Sequence, residues 1–197
     1  IDKLGKRMGE LIELDTTHLG FASDNRLYAV CGSEDRKKLA VVKVNSRDRE
    51  LYQMTSFVFN EKMDLLQKTR AQIPMEDRTT QLGEMILDNE GTLVFTRFHR
   101  TYNDNINKAS LLYQPLGGAV LNEYPLAFEG NWLDDIRVKI DNVNKRYVLS
   151  SFFSKERRGG IDGYYNLVFD KNQNTPLFEK TTILMDDVRQ EAKGNAT

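Results

Sequence analysis

The feature that most constrains the fold is a sequence repeat of about 54 residues. Leu39, Leu93 and Tyr147 each begin an apolar segment, and successive members of this set lie 54 positions apart. A second marker, an aromatic residue followed by Asn or Asp, recurs at Phe59 and Phe169, about two periods apart. Self-similarity at a fixed period of this size is typical of repeat architectures. The chain is therefore expected to contain consecutive copies of one supersecondary unit.

Each copy consists of four short segments rich in β-branched and aromatic residues, separated by Asn, Asp or Gly, a composition typical of β-strands and turns. The second segment of each copy is apolar almost throughout, whereas the fourth alternates between apolar and polar residues. This contrast is expected when a middle strand is covered on both faces and an outer strand on only one. The sequence therefore predicts an all-β fold of three four-stranded antiparallel meander repeats that form part of a β-propeller.

The repeats are predicted to occupy residues 26–75, 81–128 and 132–184. Residues 1–25 are expected to be the end of a preceding unit or a lead-in, and residues 185–197 a polar helical tail or linker. The period is longer than the ~40–45 residues of tryptophan-aspartate repeats and nearer the ~50 of kelch repeats. The chain carries the signature of neither class.

The stacking of blades makes specific demands on burial. Val148, in the second strand of the third repeat, is expected to be fully buried between blades. The outer faces of the first and third repeats are expected to need a covering layer, because we assign to them the apolar residues Val41, Phe57, Tyr147 and Phe169.

Composition excludes several classes of partner. The net charge is −1 over 197 residues, which argues against a dedicated nucleic-acid surface, since such surfaces usually show an excess of basic residues. No apolar run approaches the ~18 residues of a membrane-spanning helix. The single cysteine, Cys31, cannot form an intrachain disulfide and is expected to be a small buried hydrophobic residue.

Three carboxylates are the candidate catalytic residues. Glu84, Asp134 and Asp135 lie on the predicted first strands, which line the central channel of a propeller. A pair of carboxylates facing such a channel would suit a glycoside hydrolase or lyase. Adjacent residues of a strand point to opposite faces, so only one of Asp134 and Asp135 is expected to face inward. This enzymatic interpretation is kept as an alternative, and no catalytic residue is assigned beyond it.

No metal ion or other cofactor is expected. His18 and His99 are far apart in sequence, with no cysteine or acid placed to complete a metal site. Residues 170–174 have the spacing that begins a calcium loop, but Thr175 and Thr181 stand where the glycine and the distal acid are needed. A hairpin turn explains this stretch.

Basic and aromatic side chains are concentrated in the loops expected at one rim of the propeller, where recognition residues commonly lie on a rigid scaffold. The candidate binding residues are Arg100, Tyr102, Trp132, Lys155, Arg157 and Arg158. They predict contact with a protein partner. As an alternative, Trp132 and Tyr102 could serve as stacking platforms in a glycan-binding module.

A longer pattern occurs twice in the chain. In its first occurrence, a turn and a strand are followed by the segments Phe57–Asn60 and Leu65–Lys68. In its second occurrence, the corresponding segments are Asp162–Asp170 and Leu177–Lys180. In this pattern the chain resembles a family of large uncharacterised exported proteins of Bacteroidota with propeller-like repeats. The resemblance implies a longer parent chain with further blades, an export signal absent from this chain, and a periplasmic, cell-surface or secreted location. It implies no activity.

These observations together predict a non-enzymatic, extracytoplasmic β-propeller module that binds proteins or serves as a scaffold in a larger assembly. Its partner is expected to be another protein or further blades of a longer parent chain. The alternatives are the glycoside hydrolase or lyase with inward carboxylates and the glycan-binding module.

Overall fold

The computed structural model of the chain contains three antiparallel β-sheets. All the secondary-structure elements defined in its described residues are strands. The residues described are 4–5, 13–14, 28–45, 50–101, 104–128, 130–185 and 188. The predicted lead-in and tail therefore lie almost entirely outside the described residues. None of the described segments forms a helix long and apolar enough to cross a membrane.

The first sheet is a plain four-stranded meander in which each strand pairs with the next along the chain. Its strands are β1 (Tyr28–Gly32), β2 (Lys38–Asn45), β3 (Leu51–Asn60) and β4 (Leu65–Pro74). Short polar turns connect β1 to β2 and β3 to β4. In the first of them Arg36 adopts a positive φ of 58°, and in the second Met63 adopts 65°.

The second sheet has five strands because its innermost strand is interrupted. The strands are β5 (Thr80–Leu82), β6 (Ile86–Leu87), β7 (Leu93–His99), β8 (Lys108–Gln114) and β9 (Asn122–Pro125). Both β5 and β6 pair with β7, one after the other. The interruption therefore lies within one innermost strand, and the remaining order follows the meander of the first sheet.

The third sheet repeats this arrangement. Its strands are β10 (Trp132–Leu133), β11 (Arg137–Asp141), β12 (Arg146–Ser154), β13 (Gly163–Asp170) and β14 (Thr175–Ile183). Both β10 and β11 pair with β12. The prediction of an all-β fold with three antiparallel meander sheets is confirmed, and the strand number of four to five per sheet differs from the predicted four only through the two interrupted strands.

The sheets pack face to face through two separate apolar layers. Between sheets one and two, Ala40, Val42 and Met54 pack with Phe95 and Leu112. The layer between sheets two and three is larger and contains the following buried residues: Val94, Ala109, Leu111, Tyr113, Tyr147, Leu149, Tyr165, Leu167 and Phe169. Within it the rings of Tyr147 and Phe169 are stacked, with centroids 6.4 Å apart and planes 7° apart.

The turns that join the first and second strands of the three sheets contact one another. The Asp35 backbone N–H donates to Asn89 Oδ1 at 3.0 Å, and the Asn89 backbone N–H donates to Asn142 Oδ1 at 2.9 Å. Asn142 Nδ2 then donates to Glu34 Oε2 at 2.7 Å, which joins the third turn to the first. We call these turns, residues 33–37, 88–92 and 142–145, the turn cluster. The three sheets therefore converge at one end of their innermost strands.

Burial in the third sheet corrects one expectation. Along β12, Tyr147 and Leu149 are fully buried, whereas Val148 is only half-buried and Phe152 is half-exposed. The prediction that Val148 is fully buried is therefore wrong. The reason is that, among the described residues, no sheet packs on the face of the third sheet that carries Val148.

Candidate functional site

The candidate site is a cleft between the interrupted innermost strands of sheets two and three. Its volume is about 140 Å³. Glu84 comes from the interruption of sheet two, and Asp135 comes from that of sheet three. Ile86, Phe98 and Val138 contribute apolar side chains to its wall, and Thr96 and Arg137 contribute polar ones. We call this space the inner cleft.

Both interruptions are β-bulges of the same kind. Residues 83–85 lie opposite Phe95 and Thr96 of β7, so three residues face two. Residues 134–136 lie opposite Ser151 and Phe152 of β12 in the same way. A bulge inserts one residue, breaks the alternation of side chains and can redirect a side chain, and such bulges are common beside active sites. In the described part of the first sheet, β1 pairs with β2 without interruption.

A close approach of two backbones explains why the first bulge contains a glycine. The Gly83 N–H donates to the Thr96 carbonyl oxygen at 2.8 Å. A Cβ atom at position 83 would lie 2.2 Å from Thr96 Oγ1, far inside van der Waals contact. A larger residue would therefore fit at position 83 only if the Thr96 side chain moved.

The two carboxylates of the inner cleft differ in their partners. Asp135 Oδ2 lies 2.8 Å from Arg137 Nη2, which neutralises its charge. Glu84 is exposed and has no hydrogen bond or ion pair within the described part of the chain. Its charge is felt by half-buried Cys31 on β1, since burial first and Glu84 second raise the pKa of that thiol to about 11. Each of the three sheets thus contributes one of Cys31, Glu84 and Asp135 near its innermost strand.

Asp134 and Asp135 also border a second depression, on the uncovered face of the third sheet. This third-sheet pocket has a volume of about 340 Å³. Phe152 and Tyr164 form its apolar floor, and Asp135 and Arg137 are common to it and to the inner cleft. The expectation that only one of the two aspartates can face inward assumed a regular strand. Both lie in the bulge and line this pocket, but only Asp135 also lines the inner cleft, so that expectation stays a prediction.

Three of the predicted binding residues meet at one loop. Arg157 Nε donates to Asp104 Oδ2 at 2.8 Å, and Arg158 Nε donates to Asp104 Oδ1 at 3.1 Å. The Arg157 guanidinium carbon also lies 6.0 Å from the centre of the Trp132 ring. The hydrogen bonds from Arg157, followed by the charges of both arginines, lower the pKa of Asp104. The two arginines therefore bind a buried carboxylate of the chain itself and connect the loops of sheets two and three.

The other predicted binding residues are dispersed. Arg100 reaches from the second sheet to the backbone oxygen of Asp134 and thus braces the second bulge. Lys155 is exposed, and its backbone N–H donates to Asp162 Oδ2 at 2.8 Å. Tyr102 lies outside the described residues. The structure thus brings Trp132, Arg157 and Arg158 together, places Arg100 beside Asp134, and leaves Lys155 apart.

A group of charged side chains that the sequence analysis missed links the turn cluster to the turn after β13. Asp88 is almost fully buried, its Oδ2 accepts a hydrogen bond from Tyr147 Oη at 3.0 Å, and it forms an ion pair with Lys171. Hydrogen bonds from Lys145 and Lys171 lower the pKa of Glu90 to about 2. Tyr147 and Lys171 lie 59 and 83 residues from Asp88 in sequence, so no local pattern could have revealed this cluster.

Metal chemistry has no support from the donor groups of the described chain. No group of three or more His, Cys, Asp or Glu side chains in the described ranges could hold a metal ion. His99 is engaged by two hydroxyl groups, at 3.0 Å from Thr79 and 2.8 Å from Thr80. His18 lies outside those ranges.

Comparison with known proteins gives distant structural matches only. No protein-family model matches the chain, and no curated protein matches it. Among solved structures, the chain is similar to a cobalt-substituted ACO, the apocarotenoid oxygenase of Synechocystis (TM-score 0.48, 9% identity), over 78% of this chain and 38% of that one. It is also similar to an ACO/RPE65 chimera (TM-score 0.46, 10% identity), over 78% of this chain and 39% of that one. The chain spans less than two fifths of the length of these structures.

These matches correct the functional expectation. None of these matches is the expected non-enzymatic protein-binding or scaffold module: the similar solved structures are those of an oxygenase, which is an enzyme. We therefore set that interpretation aside, whereas no comparison tests the glycosidase, lyase and glycan-binding alternatives, which stay predictions. The resemblance to exported proteins of Bacteroidota and the extracytoplasmic location are tested by none of these comparisons and stay predictions.

Proposed function

We propose that the three sheets are consecutive blades of a β-propeller, completed by further blades of a longer polypeptide, and that the inner cleft binds a small ligand through a cationic group. The observation that carries this proposal is the pair of matched bulges. They bring Glu84 and Asp135, from consecutive innermost strands, onto one cleft.

The propeller arrangement is supported by how the sheets meet. Their faces pack against one another in chain order, and β6 of the second sheet lies against β1 and β2 of the first. The contact of Asn142 with Glu34 joins turns that are two repeats apart, as expected for sheets arranged around a common axis. Propellers have about 4–8 blades around a central channel, so three blades require others. In this arrangement the inner cleft opens toward the axis.

The charges of the inner cleft favour a cationic ligand group. Glu84 is the carboxylate available for binding, since Asp135 is already paired with Arg137. Hydrogen bonds to charged groups contribute about 1.5–3 kcal/mol. The volume of about 140 Å³, compared with about 30 Å³ for a water molecule in the liquid, admits a group of about four or five non-hydrogen atoms. A short alkylammonium group fits the size of the cleft, the free carboxylate of Glu84 and the apolar side chains of Ile86, Phe98 and Val138.

Binding of n-butylammonium, compared with n-butanol as a neutral ligand of the same shape, tests this proposal. Ligand-observed NMR titration of the 197-residue chain should show preference for the ammonium ion. Glu84→Gln should weaken ammonium binding about 10-fold or more, the equivalent of about 1.4 kcal/mol. Glu61→Gln, which changes an exposed carboxylate in the turn after β3, serves as the matched control and should leave binding unchanged. The proposal would be rejected if the chain bound n-butylammonium and n-butanol with equal affinity. It would also be rejected if the Glu84→Gln and Glu61→Gln variants bound n-butylammonium equally well.

A further inference from the structure

The register of strand pairing makes the two faces of the sheets comparable from one repeat to the next. Leu39 pairs with Phe59, Leu93 with Gln114, and Tyr147 with Phe169, so these three pairs occupy equivalent positions. The neighbouring positions on the opposite face of each sheet are then also equivalent. We call that opposite face, the one that begins with Ala40 in the first sheet, the leading face.

In the first two sheets the leading face packs on the next sheet. Ala40, Val42, Met54 and Val58 of the first sheet are buried in the layer shared with sheet two. The leading face of the second sheet contains Val94, Ala109, Leu111 and Tyr113, all buried in the layer shared with sheet three. In both sheet-to-sheet interfaces of the described chain, the leading face of one sheet therefore packs on the next sheet.

The leading face of the third sheet has the same chemistry but no cover. Its residues Val148 and Val168 are half-buried, Phe152 is 50% exposed, Tyr164 is 36% exposed and Phe178 is 48% exposed. Val148 is the equivalent of buried Val94, and Val168 that of buried Tyr113. An apolar sheet face of this kind marks an interaction surface.

The two cavities differ in volume in the direction expected for a missing layer. Ser150 and Phe152, in the third-sheet pocket, are equivalent to Thr96 and Phe98, in the inner cleft. The pocket measures about 340 Å³ where no sheet covers it, whereas the cleft measures about 140 Å³ where sheet three covers sheet two. The pocket is thus the open form of the space that a following sheet narrows.

We propose that the leading face of the third sheet docks a fourth antiparallel sheet of the same polypeptide, which closes the third-sheet pocket into a second inner cleft. This inference rests on the proposed propeller arrangement and continues its established sheet-to-sheet interface. The basic residues Lys139 and Lys180 lie on this face, so the docking sheet should carry acidic residues opposite them, whereas Arg137 is already paired with Asp135. A polar contact between sheets already occurs on the other face of sheet three, where Glu179 accepts a hydrogen bond from Tyr124 of sheet two at 2.6 Å.

A second copy of the chain is a poorer occupant. To continue the stack, it would have to present the face of its first sheet that bears Phe57 and Phe59, opposite to the leading face. Both rings are only 3% exposed, and Lys68 Nζ lies 4.9 Å from the centre of the Phe57 ring. The two large rings of that face are therefore already covered, and its exposed apolar side chains, Val30 at 65% and Leu65 at 52%, lie on the two outer strands.

Hydroxyl-radical footprinting of the full natural polypeptide tests the proposal without any substitution. It compares the oxidation rates of Phe152, Tyr164 and Phe178 with those of Tyr165 and Phe169, which are fully buried within the chain itself. Each rate is divided by the rate in urea-unfolded protein to remove differences in intrinsic reactivity. We expect the first three residues to be as protected as the last two in the natural polypeptide, and to be reactive in the isolated 197-residue chain.

The other outcomes overturn the proposal. Reactive Phe152 and Phe178 in the natural polypeptide would show that the face is free. Protection that disappears on dilution, with a dimer mass in sedimentation, would assign the face to a second copy. Either result leaves the ammonium titration at Glu84 intact, because that site lies between sheets two and three, so failure of the two proposals can be told apart.

Discussion

At the scale of single residues, the buried carboxylates Asp88 and Asp104 each join sheet two to sheet three. Asp88 and Lys171 come from different sheets, and Tyr147 Oη donates to the same carboxylate. Burial first and the charge of Asp88 second raise the pKa of the Tyr147 hydroxyl, which therefore stays protonated and donates. Removing one partner of such a pair leaves an uncompensated buried charge, which is why both charges are needed in place.

Glu90 gives this cluster a pH dependence. Its pKa is about 2 in the folded chain, below the ordinary value of 4.5, because Lys145 and Lys171 hydrogen-bond its carboxylate. A lowered pKa means that the folded state binds the proton less readily than the unfolded state. The stabilisation is therefore complete above about pH 4.5 and is lost as the pH falls through about 2.

Glu90→Gln should accordingly lower the free energy of unfolding at pH 6 and have less effect at pH 2.5. Urea unfolding of both proteins across this range measures the difference between them, which should shrink as the pH falls. Because Glu90 is about half exposed, salt should also reduce the difference. Glu61→Gln is the control for a carboxylate without such partners. A difference independent of pH would contradict the ion-pair explanation.

The predicted binding residues show what sequence can reveal at this scale. Arg157, Arg158 and Trp132 do lie together, as their loop positions indicated. Their engagement by Asp104 could not be deduced, because a loop aspartate carries no local sign that it will be buried. The one available signal was the separation of 53 residues, close to one period.

At the scale of elements, the strands followed from the repeat, whereas the bulges did not. Composition and turn residues are enough to predict strands and their order. A bulge differs from a regular strand by one inserted residue, and around Glu84 and Asp135 nothing but Gly83 marks it. The candidate carboxylates were therefore correctly associated with the innermost strands, but their side-chain directions could not be predicted from alternation.

Gly83→Ala tests the close contact that supports the first bulge. The new Cβ would collide with Thr96 Oγ1, and overpacking of this kind costs about 1–3 kcal/mol. In the background of Thr96→Ala the same substitution should cost much less, since the atom it meets is gone. Gly160→Ala, at a position with nothing within 4 Å, is the control. Chemical unfolding of the unsubstituted chain, the two single variants and the double variant gives the coupling energy between positions 83 and 96. Additive effects of the two substitutions would reject the contact.

At the scale of the whole molecule, the sequence predicted three stacked sheets but assigned the faces of the third one wrongly. Tyr147 and Phe169 were expected on its outer face, yet both are fully buried against sheet two. The face that lacks cover carries Val148 and Phe152 instead. A strand has a period of two, so an error of one residue in assigning direction exchanges the two faces completely. Only the three-dimensional pairing of sheets could decide between them.

The energetics of the two faces of β12 provide the final prediction. Leu149 is fully buried between sheets two and three, so Leu149→Ala should cost about 2–5 kcal/mol in urea unfolding of the 197-residue chain. Val148→Ala, on the leading face, should cost well under 1 kcal/mol there, because the side chain is half-buried and leaves no closed cavity. In the full natural polypeptide a docked fourth sheet would enclose Val148, and the same substitution should then cost about 1–3 kcal/mol. A small cost in both proteins would mean that no sheet covers this face.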